Sequence, residues 1–254
     1  GVKKGDVVTI CLPNVPEAII SVYALNKLGA IANMIHPLSA EEEIKESLTS
    51  TNSKYLIMID MFYGKIKGFI INSKVKRVIF VSPSTSMDIF LKIGYKLTNI
   101  KKRVKIPKSI IFTTWNKFIK LSKHSKMEIL SNFGKDTPAV ILHSGGTSGK
   151  PKNVVLQNRA FLLLSIQVKS ALRRLDVGDS CLTIMPNFHG FGLGVCMLAP
   201  MSVGCHPILV PQFDAKKLDV LLKKTKEHNV DNTQESKDVQ KDNNNINENI
   251  LVNE

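Results

Sequence analysis

At 254 residues, 43% hydrophobic and with a mean hydropathy of +0.02, the chain can bury a substantial core in one or two domains. Its net charge of +14 would suit nucleic acid or a membrane surface, but the lysines are spread along the chain. The densest group, Lys101-Lys102-Arg103 with Lys96, Lys105 and Lys108, has no interleaved aromatic platform and no reading motif, so it reads as a solvated face and nucleic acid is set aside as a partner.

The four cysteines, Cys11, Cys181, Cys196 and Cys205, sit in apolar text without metal-ligand or C-x-x-C spacing. They read as buried reduced thiols of a cytoplasmic protein. No secretory signal precedes Gly1-Val-Lys-Lys-Gly-Asp6, which reads as mid-domain text.

Val7 to Leu12 is a strand run closed by Pro13-Asn14. Asn14 is placed to cap a helix from Val15 to Leu28, with Ile19, Ile20, Tyr23, Ala24 and Leu28 at helical spacing and Gly29 as the stop. Ala30 to Ile35 is the next strand, and Ser39 with Glu42 three residues on reads as a capping box for a second helix. His36, alone before a proline, receives no role. Strands at Tyr55–Ile59 and Val78–Ser82 bracket a helix near Met61–Ile71. Strand, helix and strand in repetition predict an open, largely parallel α/β sheet. Between residues 84 and 137 the pattern is weaker: a helix over Met87–Leu97, a short strand at Ser109–Thr113, and Trp115, Phe118 and Leu121 packed at helical spacing.

The chain then concentrates its chemistry. An apolar run from Ala139 to Leu142 leads into His143-Ser-Gly-Gly-Thr-Ser-Gly-Lys-Pro-Lys152, and the chain returns through Val154-Val155-Leu156. Glycines at 145, 146 and 149 let backbone N–H groups turn inward as a nest for an anion. Ser144, Thr147 and Ser148 add hydroxyl donors, and Lys150 and Lys152 add charge. The loop is not of the G-x-x-x-x-G-K-[ST] kind, because Ser144 stands at the first glycine and Pro151 at the hydroxyl position. A flexible surface loop is the bland alternative, but linkers seldom sit between two apolar runs. A helix follows from Asn158 to Leu175, then a strand at Cys181–Met185. The stretch Met185-Pro-Asn-Phe-His-Gly-Phe-Gly-Leu-Gly194 comes next, then a strand at Pro207–Val210 and a helix from Lys216 to Val230.

Ser144 to Asn153 resembles the signature of the adenylate-forming superfamily (acyl-CoA synthetases, luciferases, peptide-synthetase adenylation domains), [ST]-[SG]-G-[ST]-[TS]-G-x-P-K-G, with Asn153 in place of the last glycine. Asn tolerates a positive φ better than most residues, so the departure is expected to be survivable. Residues 185–194 resemble the superfamily's L-P-x-x-H-x-x-G motif at the expected separation. The N-terminal text resembles G-V-x-x-G-D-x-V, K-x-G-A and N-P-x-x-x-x-E-E, with His36 where Asn is common.

The resemblance implies an α/β fold of stacked, mostly parallel sheets flanked by helices. It implies ATP with Mg, CoA as co-substrate and a small-molecule carboxylate. Ser144, Gly145, Gly146, Thr147, Ser148, Gly149, Lys150 and Lys152 would hold the β- and γ-phosphates, and His189 with Gly190 would wall the acyl site.

Between Asp179 and Asp214 no charged Asp, Glu, Lys or Arg occurs, but prolines, histidines and glycines interrupt the run, so no membrane span is expected. Residues 1–230 read as part of an AMP-binding domain. Residues 231–254, rich in Asn and Asp, read as a disordered tail that cannot offset its ordering entropy. The Y-G-x-T-E segment, the ribose Asp and the C-terminal lysine of full members have no match. The chain therefore reads as an N-terminal portion: a gene fragment, a degenerate copy, or one half of a split protein with a complementing C-terminal half. Two function classes stand: an acid:CoA ligase, and a non-catalytic binding or interaction module.

Overall fold

Val7–Cys11 forms β1, a β-branched strand with water excluded from both faces, and the rest of the molecule is laid out from it. The computed structural model describes residues 1–98, 104–122, 134, 136–145, 152–172 and 175–223. Helix α1 (Pro16–Leu28) leads to β2 (Ile31–Met34), and α2 (Glu41–Ser50) to β3 (Tyr55–Ile59). β4 (Arg77–Val81), α3 (Ile89–Thr98), β5 (Phe112–Thr114), α4 (Trp115–Ser122), β6 (Pro138–Ser144), β7 (Lys152–Gln157) and α5 (Asn158–Ala171) follow. The seven strands make one sheet in the order β5-β4-β3-β1-β2-β6-β7, parallel except that β7 returns antiparallel to β6. A second, parallel pair joins β8 (Ser180–Thr183) to β9 (His206–Leu209), with α6 (Ala199–Val203) between them in sequence.

Side-chain alternation sorts the core. Val8 and Ile10 of β1, with Leu12 just after it, join Ile57, Ile59, Ile79 and Val81 under Ala18, Ile19, Val22 and Leu25 of α1. Cys11, Leu56, Met58, Val78 and Phe80 face the other way, under Ile44 and Leu48 of α2. The chain steps from β1 to β2 in one direction and returns past β1 to β3, so its first two helices cover opposite faces. That reversal makes a crevice beyond the carboxyl ends of the strands, where such sheets take ligands.

Several local expectations are corrected. Asn14 does not cap α1: Val15 holds the cap position without a side-chain bond, and the Asn14 amide reaches the later chain instead. At α2 the cap is Ala40 rather than Ser39. The Glu43 carboxylate accepts from the Ala40 N–H at 2.9 Å, and alanine has no side chain to complete a box. The helix expected near Met61–Ile71 is two 3₁₀ turns, Asp60–Lys65 and Ile70–Asn72, because Gly64 and Gly68 weaken a continuous helix. Only Trp115 of the aromatic stripe is buried; Phe118 and Leu121 face solvent. Asn153 does not have a positive φ; it is an ordinary β7 residue opposite His143. The expected tail, residues 231–254, and the end of the helix predicted to reach Val230 lie outside the described residues.

After β8 the chain turns through Met185–Gly190 into a π-helical segment, Phe191–Leu198. Asn14 holds this turn. Its Nδ2 donates to the carbonyls of Thr183 (3.1 Å) and Met185 (2.9 Å), and its Oδ1 accepts from the Asn187 N–H (2.9 Å). Asn187 Nδ2 donates back to the Pro13 carbonyl at 2.8 Å. Gly192 lies so close to the turn that a Cβ would meet the Pro186 carbonyl oxygen at 2.0 Å. Gly192→Ala is therefore expected to cost about 3 kcal/mol, the upper end of overpacking. Denaturant unfolding of the variant beside the parent checks this, and a loss below half that figure would mean the turn relaxes freely.

Candidate functional site

On the face under α2 the sheet carries a polar row where apolar residues would be expected: Thr9 on β1, Asn33 on β2 and His143 on β6. Thr9 and Asn33 are register partners and both are fully buried. Asn33 Nδ2 donates to Thr9 Oγ1 (2.8 Å) and Ser47 Oγ (2.9 Å), with Thr51 Oγ1 at 3.4 Å. Its Oδ1 accepts from His143 Nε2 at 2.7 Å.

The remaining protons assign themselves, because each hydroxyl has one to give. Thr51 donates to the Ser47 carbonyl (2.7 Å), so Ser53 donates to Thr51 (2.8 Å) and Thr9 to Ser53 (2.7 Å). With Asn33 Oδ1 as acceptor, the neutral His143 ring carries its proton on Nε2. Burial pushes the His143 pKa below the ordinary value, and a hydrogen bond with the Asn153 side chain works weakly the other way.

Through Ser47 and His143 this network reaches a cavity of about 510 Å³ beyond the ends of β2 and β6. One wall is α2, with Glu43, Glu46, Ser47 and Ser50; another is His143, Ser144 and Gly145 at the end of β6, with Asn153 beside them. Asn153 Nδ2 donates to Ser50 Oγ at 3.1 Å, tying β7 to α2 across the opening. The third wall is His36, Phe188 and His189. Phe188 lies between the two histidine rings, with centroids 4.4 Å from His36 and 4.7 Å from His189. His36 Nδ1 accepts the Leu38 N–H at 2.8 Å. Burial first, then the nearby His189 and Lys65 charges, hold its pKa low against the opposing Glu43.

The expected phosphate loop thus opens at this cavity. Ser144 and Gly145 line it, and Lys152 is exposed on β7 directly opposite Ser144. Gly146, Thr147, Ser148, Gly149 and Lys150 lie outside the described residues. His189 faces the same cavity, and Gly190 packs over the Leu142 side chain, where a Cβ would come within 3.4 Å.

His36, Asn33, Ser47 and His143 were not legible as site residues. The available signal was the polar interruption of three otherwise apolar strands at Thr9, Asn33 and His143. Among the described residues no group of three His, Cys, Asp or Glu side chains converges as a metal site.

A histidine kept neutral by burial binds its proton more weakly folded than unfolded. Its contribution is complete above the unfolded value of about 6.5 and is lost as pH falls below it. His143→Phe should therefore lose less stability than the parent between pH 7.5 and pH 5.5, His36 titrating equally in both. Urea unfolding at the two pH values reads this, and parallel losses would show that His143 does not titrate in that range.

A family profile described as "AMP-binding enzyme" matches residues 1–234. The long-chain-fatty-acid–CoA ligase of Bacillus subtilis is 28% identical over 216 residues, covering 84% of this chain and 39% of that protein. Among solved structures, a long-chain-fatty-acid-CoA ligase from Archaeoglobus fulgidus has a TM-score of 0.64 at 24% identity, over 89% of this chain and 39% of that one. An anthranilate CoA ligase in complex with anthranoyl-AMP has a TM-score of 0.69 at 20% identity, over 87% and 38%. The chain thus spans about two-fifths of the length of the relatives it matches.

Proposed function

The chain belongs to the AMP-binding enzyme family, and from that premise we propose that it serves an ATP-dependent acid:CoA ligase. In the first step a carboxylate oxygen attacks the α-phosphorus of ATP, the bond to pyrophosphate breaks, and acyl-AMP forms. In the second the CoA thiol takes the acyl group, releasing AMP and a proton. The supporting observation is the cavity that receives Ser144 and Gly145 from one side and His189 from the other.

On this reading residues 144–152 hold the β- and γ-phosphates through N–H groups, hydroxyls and Lys150 and Lys152, and then the departing pyrophosphate. Such positioning and charge neutralisation do most of the work in this chemistry. His189 and Gly190 form the wall against which the carboxylate lies, with Phe188 fixing the His189 ring. Magnesium enters with the nucleotide, and no step is assigned to a metal held by the described side chains. The Y-G-x-T-E segment, the ribose Asp and the C-terminal lysine of the superfamily have no match within residues 1–254, so on this reading these residues do not supply the adenine, ribose and α-phosphate contacts.

The unpaired thiols support a cytoplasmic setting: Cys11 is fully buried with its pKa pushed up to about 12, and burial raises Cys181 to about 11. No helix among the described residues is long and apolar enough to cross a membrane.

Two outcomes test this. The 254-residue polypeptide alone should bind pyrophosphate with a dissociation constant nearer millimolar than micromolar, since a few exposed charge-assisted contacts contribute about 1.5–3 kcal/mol each at best. Lys152→Ala should weaken that binding more than Lys120→Ala, as read by ³¹P NMR titration at low salt; equal effects would assign binding to the general positive field. The same polypeptide should release no AMP from ATP and a carboxylate. Heat-labile, carboxylate-dependent AMP release would show instead that the described half of the site suffices.

A further inference from the structure

Helix α3 stands apart from the cavity and has no role in the chemistry above. Asp88 caps it, its Oδ1 accepting from the N–H groups of Phe90 (2.9 Å) and Leu91 (3.0 Å), so the helix is formed in its own right. Its largest side chains nevertheless face outward: Ile89 is 68% exposed, Phe90 83%, Ile93 52% and Leu97 66%. At 100° per residue these four share one face about 100° wide with Lys92 beyond its edge, and Leu91, 63% exposed, adds apolar surface outside that face. Residues 89–110 carry seven Lys or Arg and no acidic residue.

We propose that α3 is an interfacial anchor, its stripe seated at the headgroup–acyl boundary of an anionic lipid bilayer and held there by Lys92, Lys105 and Lys108. The surface is a convex ridge rather than a groove. Ten residues of helix extend only about 15 Å, too little to supply the roughly 800 Å² per partner of a stable protein interface. A bilayer needs no shape complementarity, only apolar area on one helix face and cations at its border. Every charge available within residues 89–110 has the sign that anionic lipid attracts, and Asp88, just before them, is engaged as the cap. The inference stands independently of the ligase reading.

The test is flotation of the complete 254-residue chain with vesicles of phosphatidylcholine alone and with about 30% phosphatidylserine. Binding is expected to the anionic vesicles only, and to weaken as salt is raised from about 0.1 to 0.5 M. Phe90→Glu with Ile93→Glu should lower partitioning at least about tenfold while circular dichroism and melting stay unchanged. Leu162→Glu with Ile166→Glu, on the exposed face of α5, should leave partitioning as it was. Lys105→Glu with Lys108→Glu, outside any regular element, should remove the preference for anionic lipid and serves as the second variant if the first fails to fold. Absence of flotation, equal binding to both vesicles, or equal loss from the α5 variant would overturn the proposal. So would a Phe90→Glu chain that changes its oligomeric state while the parent binds no lipid, which would assign the stripe to a protein.

Discussion

One buried amide holds the working end of the sheet to its covering helix. Asn33 sits at the middle of the β1-β2-β6 face with Thr9, Ser47 and His143 around it, and its donors and acceptor are all used. Leaving any of these groups unpaired in the interior would cost about 1–3 kcal/mol. The network is therefore stable only when β1, β2, β6 and α2 stand in one register. Apolar packing under α2 tolerates small slides of the helix; directional bonds to Ser47 and Thr51 do not. The cavity above inherits that precision, because its α2 wall and its β6 wall meet at the same few atoms.

A second pair of amides does the equivalent work for the other wall. Asn14 and Asn187 come from turns 173 residues apart, and between them they bind three backbone carbonyls and one N–H. Phe188 and His189 follow directly, so the wall carrying the histidine is anchored to the first turn of the parallel sheet. The absence of room for a Cβ at Gly192 fixes the same turn from behind. Thr183 adds a bond from its hydroxyl to the Cys196 carbonyl at 3.0 Å, satisfying an acceptor in the π-helical segment whose ladder is irregular. The wall at the end of β6 and the histidine wall are thus set by separate networks, both rooted in the ends of the central strands.

The fold was legible where side-chain period and termination signals agreed. β1, β3 and β4 read almost residue for residue from β-branched runs, and Gly29 marked the end of α1 through its αL conformation, φ 64°. Two of the misreadings share one cause. Asn14, Ser39 and Asn153 were assigned local backbone roles from residue type, whereas two of them are committed to distant partners: Asn14 to the 183–187 turn and Asn153 to Ser50. A polar side chain's local preference amounts to about 1 kcal/mol at a cap, and several long-range bonds outweigh it. The site motifs were legible as text, but His143 was read only as a flank of the loop. Its bond to Asn33 spans 110 residues, a pairing that neither strand's pattern contains.

The division of charge follows from this construction. A cationic floor beneath an anion site would have to be buried in the sheet, at a desolvation cost that its attraction for ligand need not return. The network beneath is instead neutral: it meets the cavity at the Ser47 hydroxyl and at the His143 imidazole, whose pKa burial lowers, with the Asn33 amide buried behind them. The cations stand at the rim, where Lys152 faces solvent opposite Ser144. On the α2 wall, Glu43 and Glu46 line the same cavity, and their charge disfavours an anion there. On the reading proposed above, a polyphosphate entering the cavity is directed to the β6–β7 lip, while the His36–Phe188–His189 wall offers aromatic surface to a less charged part of the ligand. The asymmetry arises from three elements with different constraints: a helix whose exposed face accepts carboxylates, a hairpin whose open end accepts lysines, and a turn held too tightly to carry either.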